Sequence, residues 1–255
     1  MPEEAPSGAC MRLQKYFSQA GIMSRRAAED AILQGRVQIN GRVVTAMGVQ
    51  IDPTRDEVRL DGELVTAAQS LHYLLFYKPK HCVTTLRDPQ GRKTVMDYLP
   101  PLGARVFPVG RLDYDAEGAL ILTNDGRLAH RLQHPRFGVP KVYEIKVKGH
   151  PTGETLDRLA TGVQLEEGVT APAEVLVLRS LPKATWLKIV LHQGWNRQLK
   201  RMGEAVGHPV LKIKRIAYGP LALGRMKPGE WRPLTALERR SLEQAASESG
   251  KSPRN

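Results

Sequence analysis

The feature that most constrains this chain of 255 residues is the stretch at residues 110–126, where a polar insert separates two apolar runs. Residues 105–109 lead into the insert, and residues 119–122 lead out of it. Short apolar runs bounded by glycine predict buried strands. The insert is therefore predicted to be a loop held rigidly between two core strands, which is a position that suits a functional site.

The insert contains Arg111 and three carboxylates, those of Asp113, Asp115 and Glu117. Acidic residues at alternate positions before a glycine are typical of a calcium loop, but that loop needs a Glu at its twelfth position, where Asn124 stands. It also needs flanking helices, whereas the flanking runs favour strands. Two interpretations stay open from the spacing. The insert is either a solvated acidic turn or a loop whose aspartate acts as nucleophile or base beside Arg111.

The motifs of the insert resemble those of a known enzyme family. Gly-Arg-Leu-Asp at residues 110–113, followed by Thr-Asn-Asp-Gly at residues 123–126, resembles the catalytic motif of the ribosomal RNA pseudouridine synthases of the RsuA/RluB type. In that family the Asp of this motif is the catalytic carboxylate, which the resemblance carries onto Asp113. The resemblance also places Arg111 in the space left when a nucleotide flips out of the RNA, and Leu112 beside the substrate.

Two strand motifs extend the resemblance. Tyr-Lys-Pro at residues 77–79 resembles the first motif of the family. The run at residues 141–148 alternates, with Tyr143, Ile145 and Val147 on one face, which predicts a half-buried strand. By pattern alone Tyr143 is an ordinary core aromatic. The resemblance implies the active-site Tyr that stacks beneath the target uracil, and an aromatic at the edge of a core can do both.

The run Asn-Arg-Gln-Leu-Lys-Arg-Met at residues 196–202 predicts the start of a helix and resembles the third motif of the family. In that motif a basic residue pairs with the catalytic Asp, and the match gives this role to Lys200. Related enzymes often carry Arg there. A lysine ammonium pairs with a carboxylate as a point charge, whereas an arginine guanidinium can form two parallel hydrogen bonds. The resemblance further implies that Leu199 packs near the base and that Arg197 contacts the substrate.

The chemistry implied by the resemblance needs an ionised Asp113, which either attacks C1′ of the uridine or takes a proton from C2′. An opposite charge within ~4–6 Å favours an ionised carboxylate, which gives Lys200 a physical reason to lie nearby. Asp115 and Glu117 are expected to point outward, because inward carboxylates would oppose ionisation of Asp113. The implied reaction needs no metal and no cofactor, and the sequence offers no motif for either.

Residues 11–66 predict a helix-helix-hairpin module. One face of the first helix is apolar, Ser24 can cap a second helix at residues 25–34, and Asn-Gly and Asp-Gly dipeptides predict two hairpins. The segment resembles the RNA-binding module of small-subunit ribosomal protein four. The basic residues expected to contact RNA, including one from the second domain, are Lys15, Arg25, Arg26, Arg36, Arg42 and Arg201.

The charge distribution predicts a polyanionic partner. The chain carries a net charge of +12, and residues 179–232 hold twelve Lys and Arg against two acids. Such a surplus favours salt-dependent contact with phosphates. No apolar run approaches the ~18–20 residues that span a bilayer, and two cysteines, Cys10 and Cys82, give no disulfide framework. These features predict a cytoplasmic protein that binds nucleic acid and no membrane. The resemblance implies that the nucleic acid is ribosomal RNA, and we expect a monomer.

The predicted fold class is α+β, with the RNA-binding module followed by a mainly antiparallel sheet flanked by helices. The predicted segments are a disordered leader at residues 1–10, the module at 11–66, the catalytic domain at 70–240, and a helix end with a disordered tail at 241–255. The predicted reaction is conversion of one uridine of 23S ribosomal RNA to pseudouridine. The alternatives are the same reaction on 16S RNA and a noncatalytic RNA-binding or ribosome-assembly protein. A helicase or nucleotidyl enzyme would need a phosphate loop, and that motif is absent from the sequence.

Overall fold

The computed structural model of the protein describes residues 10–66 and 70–248. The chain divides into two compact units. The first runs to Leu71 and includes Leu102–Arg105, and the second comprises His72–Pro101 and the chain from Val106 onward. All but Cys10 of the predicted leader lies outside the described residues.

The first unit contains the two helices and two hairpins that the sequence predicts. Its elements, in chain order, are β1 (Met11–Arg12), α1 (Leu13–Gln19), α2 (Arg25–Leu33), β2 (Val37–Ile39), β3 (Arg42–Val44), β4 (Gln50–Ile51), β5 (Val58–Leu60) and β6 (Glu63–Leu64). The Oγ of Ser24 accepts a hydrogen bond from the backbone N–H of Ala27 at 3.1 Å and so caps α2. Asn40 and Asp61, the first residues of the two hairpin turns, have φ of 51°, as turns of the primed type require.

The core of the first unit forms around the apolar face of α1. Leu13 and Phe17 are fully buried, and Tyr16 and Ala20 are nearly so, as the helical spacing predicts. The hydroxyl of Tyr16 donates a hydrogen bond to the carbonyl oxygen of Val65 at 2.7 Å, so the aromatic ring is buried while its polar end is satisfied.

The second unit is built on one large sheet with helices packed against it. Its strands are β7 (Tyr73–Lys78), β8 (Phe107–Val109), β9 (Glu117–Thr123), β10 (Lys141–Lys148), β11 (Gln164–Leu165), β12 (Gly168–Val169), β13 (Glu174–Leu181), β14 (Ala184–Leu191), β15 (Val210–Tyr218), β16 (Leu221–Ala222) and β17 (Trp231–Pro233). Its helices are α3 (Gly126–Gln133), α4 (Gly153–Thr161), α5 (Gln198–Ala205) and α6 (Ala236–Glu248), with single 3₁₀ turns at Val95–Tyr98 and Pro135–Phe137.

The large sheet has nine strands in the order β13-β14-β10-β15-β9-β7-β17, with β8 paired to β9 and β16 to β15. Each pairing is antiparallel except that of β9 with β15. The loop predicted between two core strands therefore joins β8 to β9, next to the centre of the sheet. The predicted α+β class with a mainly antiparallel sheet is confirmed.

Gly118 allows the two parallel strands to approach. Its Cα lies opposite that of Arg215, and its φ is +123°, a conformation that other residues rarely adopt. A Cβ built on Gly118 would fall 2.6 Å from the backbone nitrogen of Arg215, closer than real Cβ contacts occur. A glycine is therefore needed where β9, which carries the loop, meets β15.

The C-terminal helix α6 begins at a capping box and ends at Glu248, within the range 241–255 predicted for the helix end and tail. In the capping box the Thr235 Oγ1 accepts from the Glu238 N–H at 3.2 Å and the Glu238 carboxylate accepts from the Thr235 N–H at 2.9 Å. Leu242 and Ala246 are fully buried and hold the last turns of the helix. Residues 249–255 lie outside the described part. No helix in the described ranges is long and apolar enough to cross a membrane.

Candidate active site

The loop between β8 and β9 is held in place by Lys78, at the end of β7. The Lys78 side chain is fully buried, and its Nζ donates hydrogen bonds to the carbonyl oxygens of Pro79, Asp113 and Ala116 at 3.0, 2.9 and 2.8 Å. These bonds use all three N–H donors of the ammonium group. Burial lowers the pKa of Lys78 to about 8, although the nearby Cys82 and Asp113 act in the opposite direction.

The segment after β7 fixes the same loop from a second side. The Thr84 Oγ1 donates to the carbonyl oxygen of Leu112 at 2.8 Å and accepts from the Leu112 N–H at 3.3 Å. The backbone N–H of His81 donates to the carbonyl oxygen of Tyr114 at 2.7 Å. The backbone around Asp113 is thus held by Lys78, His81 and Thr84, all from the end of β7 and the segment after it. The Asp113 carboxylate takes no part in these bonds.

Lys200, from the first turn of α5, reaches both aspartates of the loop. Its Nζ lies 3.6 Å from Oδ2 of Asp113 but only 2.6 and 2.7 Å from the two carboxylate oxygens of Asp115. The fold therefore brings Lys200 to Asp113, 87 positions earlier in the chain, as the third-motif match implies. The shorter contacts, however, are those with Asp115.

Asp115 and Glu117 differ in how far they fit the expectation that they point outward. The Asp115 side chain is 59% exposed, as expected, although its carboxylate contacts Lys200. The Glu117 side chain is only 24% exposed, so for Glu117 the expectation was wrong. Burial alone would raise the pKa of Asp115, but the hydrogen bonds and charge of Lys200 outweigh it and lower this pKa. Glu117 accepts a hydrogen bond from the Tyr77 hydroxyl at 3.2 Å. Burial, with the charge of Glu117 second, raises the pKa of Tyr77 to about 12, so this donor keeps its proton at neutral pH.

A cavity of about 380 Å³ opens beside the loop. Its volume is in the range of small-ligand pockets. The walls come from the β8–β9 loop, from β10 and β15, and from the segment that leads into α5. The residues that line it are Gly110, Arg111, Leu112, Asp113, Ala116, Gln133, Lys141, Tyr143, Leu191, Gly194, Trp195, Asn196, Arg197, Gln198, Leu199, Ile213, Arg215 and Tyr218.

Most of the predicted site residues meet at this cavity. Asp113 and Tyr143 line it together with the predicted substrate contacts Arg111, Leu112, Arg197 and Leu199. Tyr143 is 8% exposed and packs in the core with Ile145 and Val147, so the predicted strand face is confirmed, and the ring also faces the cavity. Lys200 lies behind the lining, at the carboxylates.

The sequence interpretation missed several residues of this site. Lys141 and Arg215 are buried cations at the cavity, and Trp195 and Tyr218 supply further aromatic surface there. Lys78 belongs to the Tyr-Lys-Pro motif, but the sequence interpretation assigned it no role. The alternation that places Tyr143 inward also places Lys141 inward on the same strand, and this was the available indication. Arg215 had been counted only as one charge of the basic segment.

The basic residues predicted to bind RNA differ in their surroundings. Arg25, Arg26 and Arg42 are exposed and Lys15 is half-buried. Arg36 and Arg201 hold carboxylates: Arg36 contacts Asp61 at 2.9 and 2.6 Å, and Arg201 contacts Glu167 through two bonds of 2.7 Å. Among residues 10–66 and 70–248, no group of three or more His, Cys, Asp and Glu could hold a metal ion.

Comparison with known proteins identifies the family. The chain matches the family model described as RNA pseudouridylate synthase over residues 72–205, and the model described as S4 domain over residues 11–54. A protein of Aquifex aeolicus (strain VF5), named an uncharacterized RNA pseudouridine synthase, is 46% identical over 229 residues, which cover 89% of this chain and 92% of that protein.

Two further comparisons agree. The ribosomal large subunit pseudouridine synthase B of Bacillus subtilis (strain 168) is 42% identical over 242 residues, 94% of this chain and 98% of that protein. A crystal structure of a pseudouridylate synthase matches with a TM-score of 0.67 and 30% identity, over 91% of this chain and 99% of that one. The chain therefore belongs to the RNA pseudouridine synthases, which are isomerases that act on RNA. Within them it is of the RsuA/RluB type, as its motifs predicted.

Proposed function

We propose that this protein converts one uridine of large-subunit (23S) ribosomal RNA, in a precursor or assembly intermediate, to pseudouridine, with Asp113 as the catalytic carboxylate. The observation that carries the proposal is the position of Asp113. It lies on a loop anchored by Lys78, lines the cavity with Tyr143, and has a cation 3.6 Å from its carboxylate. An ionised carboxylate held in this way can act as nucleophile or base.

The other cavity residues receive roles from their positions. Tyr143 supplies an aromatic face on which an extruded uracil stacks. Leu112 and Leu199, both nearly buried, form apolar walls beside that base. Arg111 and Arg197 are exposed at the cavity, where they suit the RNA strand and the space that the flipped nucleotide leaves. Lys200 balances the charge of Asp113 while it is bound to Asp115.

The choice of large-subunit RNA is supported by two relatives, from Bacillus subtilis and Yersinia pestis, that are both named ribosomal large subunit pseudouridine synthase B. Mapping of pseudouridines by carbodiimide modification and primer extension, in a strain that lacks the gene, tests this choice. Loss of one 23S position is expected. Loss of a 16S position instead would assign the enzyme to the small subunit.

The role of Asp113 is tested by Asp113→Asn, which keeps the shape of the side chain and removes its nucleophilic and basic character. RNA labelled with tritium at C5 of uridine reports the reaction, because the C5 hydrogen leaves when C5 bonds to C1′. We expect turnover to vanish while RNA affinity changes little. Substantial turnover in this variant would remove Asp113 from its role, and lack of turnover by the wild type on all ribosomal RNA would restore the noncatalytic alternative.

A further inference from the structure

Two buried cations, Arg215 and Lys141, line the cavity, and no carboxylate of residues 10–66 or 70–248 pairs with either. Arg215 is 2% exposed and Lys141 is 8% exposed. The Nε of Arg215 donates to the carbonyl oxygen of Ala119 at 2.6 Å, but its Nη2 is buried and has no hydrogen-bond partner within the described part of the chain. The Nζ of Lys141 donates to the carbonyl oxygen of Val139 at 3.0 Å. A buried N–H without a partner costs free energy, so it needs an explanation in the function of the site.

The strand pairing explains how these cations reach the cavity. Arg215 lies on β15 directly between Tyr143 of β10 and Gly118 of β9. A register shift between Val142 and Tyr143 accompanies the approach of Lys141 to Tyr218, whose ring has Lys141 and Arg215 at 5.1 and 5.0 Å from its centroid. The two cations thus share one aromatic ring next to the predicted stacking platform.

The electrostatic cost of this arrangement is visible in Lys141. Burial, and secondly the charge of Arg215, lower the pKa of Lys141 to about 8. Among the described residues, the ion pairs at this site are those of Lys200 with the two aspartates, and none includes Lys141 or Arg215. Two like charges held together in a buried wall are unfavourable by themselves, so an anionic ligand would stabilise them.

We infer that Arg215 and Lys141 bind the carbonyl oxygens of the extruded uracil and stabilise the negative charge that the base acquires as its glycosidic bond breaks. The inference rests on the proposed role of Asp113. When the C1′–N1 bond breaks, its electron pair stays on N1 and spreads to O2 and O4. C5 then bonds to C1′, the C5 proton leaves and N1 gains a proton, so the product is an isomer of the substrate. Fixed donors aimed at such developing charge in a site without water lower the barrier.

The depth of the two cations favours the base over a phosphate as their ligand. Arg215 and Lys141 are buried beside Tyr143 and Tyr218, surfaces that suit a planar base. The cations available to the charged backbone, Arg111 and Arg197, are exposed. A phosphate that reached the inner wall would have to lose most of its water, whereas an extruded base enters such a pocket readily.

The experiment compares two leaving groups in the ribosomal RNA fragment that the wild type modifies. The fragment is transcribed with uridine or with 5-fluorouridine, whose fluorine withdraws electrons and stabilises the departing base. Single-turnover consumption of the target nucleoside is measured with saturating enzyme for Arg215→Gln, Lys141→Gln and Asp113→Asn. Lys148→Gln, at the exposed end of the strand that carries Lys141, is the matched control.

With uridine, Arg215→Gln and Lys141→Gln should each slow consumption by about 10²-fold, the effect of removing one donor to a developing negative charge. With 5-fluorouridine the loss of rate should be at least about tenfold smaller, because a more stable leaving group needs less stabilisation from Arg215 and Lys141. Lys148→Gln should leave both rates unchanged, and Asp113→Asn should abolish both. Arg215→Lys, which keeps the charge, should recover part of the rate.

Equal losses with both nucleosides would overturn the inference. Losses that disappear at high RNA concentration, with a salt slope smaller by about one, would assign the two cations to a phosphate. Arg215→Gln removes the donor to the Ala119 carbonyl and could therefore melt well below the wild type. In that case Lys141→Gln decides the question, through the ratio of its rate loss with uridine to its rate loss with 5-fluorouridine. Activity in Asp113→Asn would instead locate the failure in the proposed function, whatever the two wall variants show.

Discussion

Lys78→Met tests whether one buried amine holds the β8–β9 loop, which carries Asp113. The wild-type Nζ donates three hydrogen bonds of 2.8–3.0 Å, two of them to loop carbonyls at Asp113 and Ala116. A hydrogen bond from a charged donor contributes about 1.5–3 kcal/mol, so three contribute about 4.5–9 kcal/mol before the ammonium is desolvated. Desolvation costs several kcal/mol, and methionine keeps the apolar length. We expect a net loss of about 3 kcal/mol in the free energy of unfolding.

The effect on catalysis should exceed that on substrate affinity. Without Lys78 the carbonyls of Asp113 and Ala116 turn toward water, and the Asp113 carboxylate moves with them. A displacement of about 1 Å at a reacting group costs about 10²-fold in rate. Urea denaturation gives the change in stability, and tritium release under single turnover gives the change in rate. Lys80→Met is the matched control, because Lys80 is partly exposed and forms only a long ion pair of 3.8 Å with Glu117.

The stability difference between wild type and Lys78→Met should also depend on pH. Lys78 has a pKa of about 8 in the folded protein, against 10.5 for an ordinary lysine. Between these values the unfolded chain binds more protons, so the wild type gains stability as pH rises through this window. The variant lacks that gain, and the difference should widen from pH 8 to pH 10. The anchoring role would be refuted if Lys78→Met were as stable and as active as the wild type. It would also be refuted if the difference in stability between the two proteins did not depend on pH.

Three further outcomes are expected. Gly118→Ala should destabilise the protein by about 3 kcal/mol in urea, because no Cβ fits against β15, whereas Gly126→Ala has open space and should not. Lys200→Met should slow single turnover at saturating RNA, with partial recovery as pH rises, because two carboxylates lose their cation. Lys200→Arg should have a milder effect. A flat pH-rate profile for Lys200→Met would leave Lys200 as a phosphate contact. Deleting residues 1–66 should weaken and misdirect RNA binding and leave a cooperative thermal transition; full efficiency on intact ribosomal RNA would argue against a targeting role.

Local patterns predicted the elements of this fold well, because each depended on neighbouring residues. The strand Lys141–Lys148 and the helix Arg25–Leu33 follow from signals that span only a few positions. The parallel pairing of β9 with β15 joins segments about 96 residues apart, as the bond from Arg215 to Ala119 shows, and no local pattern encodes it. The motif resemblance, by contrast, singled out Asp113, which lies in the loop that lines the cavity, because the motif is itself contiguous.

The charged residues were harder to place, because a lysine or arginine in a strand is compatible with either face. Arg215 was interpreted as part of a basic surface, yet it is nearly fully buried. Its burial depends on the register that sets it opposite Tyr143 and Gly118, which is a tertiary property. The contact between Asp115 and Lys200 was not predicted for a related reason. The motif match gave Lys200 one carboxylate partner, and the fold provides two.

The arrangement of charges in the structure is compatible with the proposed reaction, in which a loop with three carboxylates serves a step that releases an anionic base. Lys78 uses its donors on backbone carbonyls, so it orders the loop and leaves the Asp113 carboxylate unbound to it. Asp115 holds Lys200 by its two short contacts, which keeps the cation 3.6 Å from Asp113 and leaves that carboxylate room to approach a ribose. Asp113 and Asp115 are both paired with Lys200, and neither forms an ion pair with Arg215 or Lys141 among the described residues. Under the proposed mechanism, this separation leaves the positive charge of Arg215 and Lys141 available to the base while Lys200 serves the two carboxylates.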